Sequence, residues 1–289
     1  MYHKAYGIIE TQAPLHVGAS AGEESGNLNL IFRDQFTQTG IIPGSSIRGR
    51  FRADMRLEDK DSANEFYGHE AEQGKSDSTT EALVKFEYAS LVWLPVFCPG
   101  QPVVYITCPK LLRRYYQITG KPSAELPKPY EVQLEKQRNV LFFNLGFLKN
   151  LKAVKTLSQW LPDGLDYPPT NLVVVEDKYM GIIQDMALYR QSRVRLKDDE
   201  KIVDGQGFFN VEALPEGSIL VFPIAVKPTK DKEKKPKDNW PNYLASLELV
   251  DWQDSSGSFS KEMYFGGLES IGFGRCKVTL AEQSIPGGK

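Results

Sequence analysis

Cysteine and histidine are scarce in this 289-residue chain. The three cysteines, Cys98, Cys108 and Cys276, are odd in number, widely spaced and without a CxxC pair. This spacing argues against a disulfide framework and against a zinc site, so we interpret all three as buried small apolar residues. The only histidines are His3, His16 and His69, which leaves few candidates for acid–base catalysis by histidine.

Long apolar runs and a net positive charge are also missing. No apolar stretch approaches the roughly 18 residues that a membrane-spanning helix requires, and residues 1–5 lead into a strand-like run without a signal segment. We therefore expect a soluble, cytoplasmic protein with no membrane partner. The formal net charge is −2, so any nucleic-acid site must be a local basic feature. The length allows one large domain or two fused small ones.

The clearest predicted element is a helix that begins near Ser46, which we expect to be its N-cap. One side of this helix is apolar and the next is cationic, because two sets of residues repeat at i, i+4 and i+8. The apolar set is Ile47, Phe51 and Met55, and the cationic set is Arg48, Arg52 and Arg56. A buried face thus adjoins a basic one.

Other segments predict a chain rich in β-strands. A second helix is expected after Pro109, and residues 68–80 and 227–241 are polar enough to be exposed loops. The predicted strands are Ala5–Val17, Ala82–Val96, Val103–Cys108, Asn171–Glu176, Val203–Phe209, Ser218–Val226 and Arg275–Leu280.

The segment GGLESIGFG, residues 266–274, leads into an alternating strand and not into a helix, which excludes a dinucleotide-binding fingerprint. Glycines allow successive backbone N–H groups to turn toward one anion and allow a phosphate to approach closely. Arg275 would add a charge-assisted contact. The alternative is a tight β-turn with a bulge.

The segment PGSSIRGRFR, residues 43–52, combines hydroxyls and free N–H groups at a helix start with arginines leading away from it. The helix dipole favours anions there, so the pattern suits a phosphodiester backbone. Two other interpretations remain open, namely serines that only cap the helix and an arginine stripe that serves solubility.

Three motifs resemble, in order and spacing, the RAMP superfamily of CRISPR proteins. They are LHVGAS at 15–20, IIPGSSIRGRFR at 41–52 and FGGLESIGFGRCKV at 265–278. Residues 89–115 and 193–220 are similar to the backbone subunit of the Cmr (type III-B) effector complex. Residues 120–169 and the lysine-rich segment at residues 227–241 do not contribute to the resemblance.

The resemblance implies an α+β fold over one domain, residues 1–289, with loop insertions near 68–81 and 227–241. It implies a ferredoxin-like, RRM-like palm with an antiparallel sheet and a β-hairpin thumb from residues 193–209. In this thumb, Ile202 and Val203 either wedge between guide–target base pairs or belong to a plain hairpin core. The implied partners are a guide crRNA, complementary target RNA, other effector subunits and further copies of the chain in a filament. The implied RNA-binding residues are His16, Ser45, Ser46, Arg48, Arg52, Arg193, Gly266, Gly267, Gly272, Gly274 and Arg275.

Catalysis is where the sequence departs from that family. A metal-dependent aspartate is expected near Leu28, but Asn27 and Asn29 flank that position and no carboxylate occupies it. An amide cannot act as a base and is a weak ligand for a hard cation. The remaining catalytic candidates are Asp34, Glu23 and Glu24, with Mg²⁺ or Mn²⁺ required only if cleavage is retained. We therefore predict no intrinsic cofactor and a guide-binding scaffold; the alternatives are a target-cleaving metal-dependent endoribonuclease and a guide-processing endoribonuclease.

Overall fold

A computed structural model describes residues 2–18, 28–69, 80–120, 125–144, 146–196, 203–227 and 259–283. The helices are α1 (Gly44–Glu58), α2 (Lys60–Tyr67), α3 (Pro109–Thr119) and α4 (Met180–Ala187). The strands are β1 (His3–Thr11), β2 (Leu28–Asn29), β3 (Ile41–Ile42), β4 (Val84–Phe86), β5 (Ala89–Cys98), β6 (Gln101–Thr107), β7 (Glu131–Gln133), β8 (Leu141–Phe143), β9 (Gly146–Leu148), β10 (Lys152–Ala153), β11 (Leu172–Val174), β12 (Tyr189–Leu196), β13 (Val203–Ala213), β14 (Ile219–Val226), β15 (Phe259–Tyr264) and β16 (Arg275–Glu282).

The main sheet has the strand order β10-β7-β11-β6-β5-β14-β1-β16-β15, with β3 beside β5 and β4 beside β14. Its pairings are antiparallel except β6 with β11 and β7 with β10. Strands β12 and β13 form a long hairpin, and β2 runs parallel to β13. A separate small hairpin joins β8 to β9. The fold is therefore a mixed α/β architecture around a large, mostly antiparallel sheet.

Successive residues of the central strands pack on opposite faces of this sheet, as the period of two requires. Ile9 of β1 and Leu220 of β14 belong to the core beneath α1, whereas Ile8 and Val221 belong to the core beneath α3. Both faces are covered, which is why β5 is an almost unbroken apolar run.

Helix α1 confirms the predicted apolar stripe, since Ile47, Phe51 and Met55 are all buried. The Phe51 ring lies 5.3 Å from that of Phe86 and 6.4 Å from that of Phe222, so the helix is anchored on the central strands. Its amino end is thereby placed at a defined point on the rim of the sheet.

Several other predictions can be compared with the described residues. The helix after Pro109 is confirmed, and the three cysteines are buried and unpaired with one another. The prediction that the first strand reaches Val17 is wrong beyond Thr11, because the backbone bends there and Leu15 pairs with Leu214. Residues 70–79 and 228–258 lie outside the described ranges, so most of the two proposed insertions does too.

Among the described residues, no helix combines the length and the apolar character needed to cross a bilayer.

Candidate nucleic-acid interface

A ladder of backbone hydrogen bonds connects the glycine segment to the start of α1. The N–H of Gly267 donates to the carbonyl of His16 (3.0 Å), that of Phe32 donates to Val17 (2.8 Å), and that of Ile41 donates to Phe32 (2.9 Å). Adjacent strands lie about 4.8 Å apart, so these three steps span at most about 14 Å. Ile41 belongs to β3, which ends just before α1. The two sequence motifs therefore lie along one rim of the molecule.

Helix α1 begins one turn earlier than the sequence suggested. Its N-cap is Pro43, without a side-chain capping bond, so the prediction that Ser46 caps the helix is wrong. The N–H groups of Ser46 and Ile47 donate to the carbonyl of Pro43 (3.0 and 3.1 Å). Ser45 is exposed in the first turn, where backbone N–H groups lack intrahelical acceptors and the dipole favours an anion. This end of α1 suits a phosphate.

The arginine row on α1 is partly committed to the protein itself. The guanidinium of Arg48 donates to the carbonyl of Tyr67, the last residue of α2, with Nε at 2.9 Å. Arg50 pairs with Asp54 at 2.6 Å, one turn further along. Arg52 is half-buried beside them. Arg48 thus caps the carboxyl end of α2. Its contact with RNA stays a prediction.

The glycine segment is the connection between β15 and β16, and most of its predicted amides have internal acceptors. The N–H of Gly267 donates to His16, that of Gly272 donates to Glu269 (3.0 Å), and that of Gly274 donates to Pro14 (2.9 Å). These bonds favour the alternative interpretation, an ordered turn, over a set of backbone N–H groups that are free to bind a phosphate. Any phosphate contact at Gly266, Gly267, Gly272 or Gly274 stays a prediction and has to rely on close approach.

Steric room differs sharply between neighbouring glycines of this turn. Gly266 has φ +78°, and a Cβ there would overlap the carbonyl oxygen of His16. Gly274 has φ +86°, and a Cβ would overlap the carbonyl oxygen of Phe265. A Cβ at Gly267, in contrast, would meet nothing within 4 Å. Gly266 and Gly274 serve the fold, whereas Gly267 presents bare backbone to solvent.

His16 is buried, with 8% of its surface exposed, and connects the rim to β13. Its Nδ1 lies 2.7 Å from the carbonyl oxygen of Glu212. A carbonyl only accepts hydrogen bonds, so Nδ1 carries the proton. This burial favours a structural role for His16 over the RNA contact that the resemblance implies.

The Glu212 carboxylate, 4% exposed, is the centre of an ion-pair network that the sequence reasoning missed. It lies 3.1 Å from Nη2 of Arg33 and 3.0 Å from Nη2 of Arg190, and Arg33 also pairs with Asp185 at 2.5 Å. Burial lowers the pKa of Arg33, but the hydrogen bonds and charges of Asp185 and Glu212 outweigh it and raise that pKa. The available signal was a lone carboxylate within the apolar run FFNVEAL, because buried charges need partners.

The base of the β12–β13 hairpin rests on the glycine turn. The Arg193 guanidinium donates to Oε1 of Gln191 (2.9 and 3.1 Å) and lies 5.2 Å from the centre of the Phe273 ring. Phe273 is buried against Val211 and Ala213. Arg193 therefore lies beside the glycine turn, and both were predicted to bind RNA.

Arg275, the residue after the glycine turn, is exposed, and its Nη2 donates to the carbonyl of Gln12 at 3.3 Å.

Of the two predicted wedge residues of the hairpin, Val203 begins β13, whereas Ile202 lies outside the described residues. The wedge role of both residues stays a prediction.

The carboxylate of Asp34 stabilises its own turn. Oδ1 accepts from the N–H of Phe36 (3.1 Å) and from the N–H and hydroxyl of Thr37 (2.7 and 2.8 Å). Burial alone raises the pKa of Asp34, but these bonds and the charge of Lys110 outweigh it, so the net pKa is lowered. This carboxylate is engaged as a turn cap.

The described residues do not fit a divalent metal site. Asp34 is committed to its turn and Glu212 to two arginines, and no group of three His, Cys, Asp or Glu among the described residues is close enough to hold an ion. Glu23 and Glu24 lie outside the described residues, so their candidacy is unchanged.

Comparison with known proteins shows the family to which this chain belongs. The family model of the RAMP superfamily matches residues 8–277, and the chain belongs to that superfamily. A curated relative, the CRISPR system Cmr endoribonuclease Cmr4 of Pyrococcus furiosus, is 23% identical over 309 residues that cover 99% of this chain and 98% of the relative.

Solved structures share the fold over nearly the whole chain. The cryo-EM structure of the type III-B Cmr-beta complex bound to cognate target RNA contains a chain with a TM-score of 0.70 and 21% identity, covering 97% of this chain and 98% of that one. The crystal structure of oligomeric Cmr4 from Pyrococcus furiosus matches with a TM-score of 0.66 and 16% identity, covering 98% and 100%.

Proposed function

We propose that this chain is the guide-RNA-binding backbone subunit of a type III-B CRISPR effector complex. The observation that carries the proposal is the ladder from Gly267 through His16 and Phe32 to Ile41, which places the glycine turn and the start of α1 on one rim. A single RNA strand passing along that rim meets a helix dipole, the exposed Ser45 and bare backbone at Gly267 within a few nucleotides.

The strand order supports the finer description of the palm as ferredoxin-like. Strands β16, β1, β14 and β5 are neighbours in that order and all antiparallel, and α1 follows β1 in the chain. This is the arrangement of a β-α-β-β-α-β unit with its last strand beside its first. Residues 228–258, between β14 and β15, lie outside the described ranges.

The long β12–β13 hairpin supports the assignment of the thumb. Its base is held by Arg193 over Phe273 and by Glu212 between two arginines, so its direction relative to the rim is determined by buried contacts. In a filament of stacked copies, such a hairpin would extend along the bound RNA and set the spacing between subunits.

The test is RNA-dependent assembly. Purified protein is mixed with single-stranded guide RNAs of increasing length, and the mass of each complex is measured by size exclusion with light scattering. A backbone subunit gives a mass that rises stepwise with RNA length. A guide-processing endoribonuclease acting as a single subunit gives one mass at all lengths together with cleaved RNA, and this outcome would contradict the proposal.

A charge placed at the start of α1 makes the test specific to the rim. Ser45→Glu adds a carboxylate where the helix dipole favours it, so the fold is unharmed, while the same charge repels phosphate. We expect weaker RNA binding for Ser45→Glu and a smaller effect for the matched neutral Ser45→Gln. Equal RNA affinity of the two variants would show that the start of α1 does not contact the RNA.

A further inference from the structure

A cavity of about 320 Å³ lies between the turn at residues 34–37 and helix α3, outside the rim described above. Its volume is at the lower end of the range for small-ligand sites. Its lining combines two aromatic rings with three basic side chains. The rings are those of Phe36 and Tyr88, the basic side chains are those of Lys110, Arg113 and Arg114, and Asp34 lies beside them.

The basic side chains outnumber the carboxylates that face the cavity. Arg113 is exposed and forms no ion pair with any residue that the structure describes. Arg114 donates to the hydroxyl of Ser90 at 3.0 Å and lies 3.6 Å from Glu87 at the edge. Among the described residues that line the cavity, Asp34 is the one carboxylate, and it is occupied by hydrogen bonds within its own turn. The cavity therefore attracts an anion.

Phe36 is presented to this cavity by a rigid turn. The ring is 82% exposed, although a large aromatic side chain gains free energy from burial. Both the N–H of Phe36 and that of Thr37 are bound by Asp34, and the N–H of Gln38 donates to the Asp34 carbonyl at 2.9 Å. The backbone of Phe36 is thus held in position before any partner arrives, and Nζ of Lys110 lies 5.8 Å from the centre of the ring.

The cavity adjoins the start of α1 through the segment that joins β4 to β5. A Cβ at Gly44 would lie 2.6 Å from the carbonyl oxygen of Phe86, so the helix start packs directly on that backbone. Tyr88 and Ser90, which follow in the chain, line the cavity. The start of α1 and the cavity therefore contact the same short stretch of chain, residues 86–90.

We propose that the cavity binds one nucleotide of single-stranded RNA, with the base stacked on Phe36 and its phosphate held by Lys110, Arg113 and Arg114. Aromatic rings beside cationic side chains are the usual means of binding single strands without sequence preference. This inference rests on the proposed function, because it places a nucleotide of the strand that follows the rim.

The experiment separates the base from the phosphate. Fluorescence anisotropy measures the affinity of the full chain for a 12-nucleotide oligouridylate and for an abasic strand of the same length and charge. Phe36→Ala weakens oligouridylate binding by about tenfold, within the range measured for loss of one stacked base, and leaves abasic binding unchanged. Arg113→Ala weakens binding of both strands to the same degree and reduces the salt dependence.

Matched controls are available elsewhere on the surface. Phe97 is an exposed phenylalanine and Arg138 an exposed arginine, both distant in the chain from α1 and the turn, and Phe97→Ala and Arg138→Ala leave both affinities unchanged. Thermal unfolding checks that all four variants are folded, which is expected because each residue is exposed.

The outcomes are distinct. If Phe36→Ala and Arg113→Ala bind oligouridylate as the wild type does, the cavity is not an RNA site and this inference fails, whereas the proposed function stands. If Phe36→Ala weakens both strands equally, no base stacks there and the inference fails. Absence of RNA binding by the wild-type chain overturns both proposals.

Discussion

Nδ1 of His16 and the carbonyl oxygen of Glu212 lie 2.7 Å apart, although 196 positions separate the two residues in the chain. This bond joins the segment after β1 to the long hairpin, at the point where Gly267 contacts the same segment from the other side. Three distant parts of the chain therefore meet at His16, one through its imidazole and one through its backbone carbonyl.

His16→Ala should destabilise the protein, because it leaves the Glu212 carbonyl buried without its donor. The expected loss is about 1–3 kcal/mol in the free energy of unfolding, measured by urea denaturation. His3→Ala is the matched control, since His3 is exposed and should change little. A stable His16→Ala protein that has lost RNA binding would show that the imidazole acts on RNA directly.

Glu212→Gln should be more damaging than an ordinary surface substitution. It removes the charge between Arg33 and Arg190 and leaves two guanidinium groups without their buried partner. We expect a loss of about 1–3 kcal/mol, less than for a fully buried pair, because Arg190 is half exposed and Arg33 keeps Asp185 as a partner. The exposed Glu216→Gln serves as the control in the same denaturant titration, and equal stability of the two variants would refute this role for Glu212.

Arg48→Ala separates a structural role from an RNA contact. Loss of the charged donors to the Tyr67 carbonyl should lower the free energy of unfolding by about 1–3 kcal/mol. If Arg48 also contacts a phosphate, as the sequence predicts, the salt dependence of RNA binding becomes shallower by about 0.7 in the log–log slope. Unchanged stability would contradict the first statement, and an unchanged slope the second.

Gly266→Ala and Gly267→Ala form a matched pair one position apart. The first forces a Cβ onto the His16 carbonyl at a positive φ, so we expect a clear fall in Tm. The second adds a methyl group into open space and should leave Tm unchanged. If RNA approaches the bare backbone, Gly267→Ala nevertheless weakens RNA binding, as anisotropy titration measures; normal affinity would exclude close approach there.

Asp34 should make the turn at residues 34–37 sensitive to acid. Its pKa in the folded protein lies below the ordinary value of 3.8, so the charge contributes stability above that value and loses it as pH falls through the folded pKa. Compared with Asp34→Asn, the wild type should be more stable near about pH 6, and the difference should shrink toward about pH 3. A constant difference in denaturation midpoint across this window would show that the carboxylate charge is not involved.

Local periodicity predicted the elements that contact the core. The i, i+4, i+8 spacing of Ile47, Phe51 and Met55 located the buried face of α1, because that spacing follows from 3.6 residues per turn whatever the surroundings. The same local logic recognised that residues 266–274 lead into a strand. It did not locate the end of β1, which depends on a pairing between Leu15 and Leu214.

Local reasoning was weakest where side chains meet partners from distant segments. Arg48 was predicted as a phosphate ligand from its place in a row, yet its acceptor is a carbonyl on another helix. Ser46 was predicted as a cap from its residue type, yet Pro43 precedes the first turn. A lone carboxylate in an apolar run was the sequence signal for Glu212, but its arginine partners and the exposure of Phe36 became visible only in the structure.

The sequence by itself determined the strand-rich α+β character, the amphipathic α1, the buried cysteines and the order of motifs that the RAMP superfamily shares, since each of these is written in residue type and short-range spacing. Only the tertiary structure decided that the glycine turn and the start of α1 share one rim, that the glycine amides bind the protein's own carbonyls, and that Phe36 stands beside three basic residues. These relationships depend on strand pairing between residues far apart in the chain, and local propensity carries no information about such pairings.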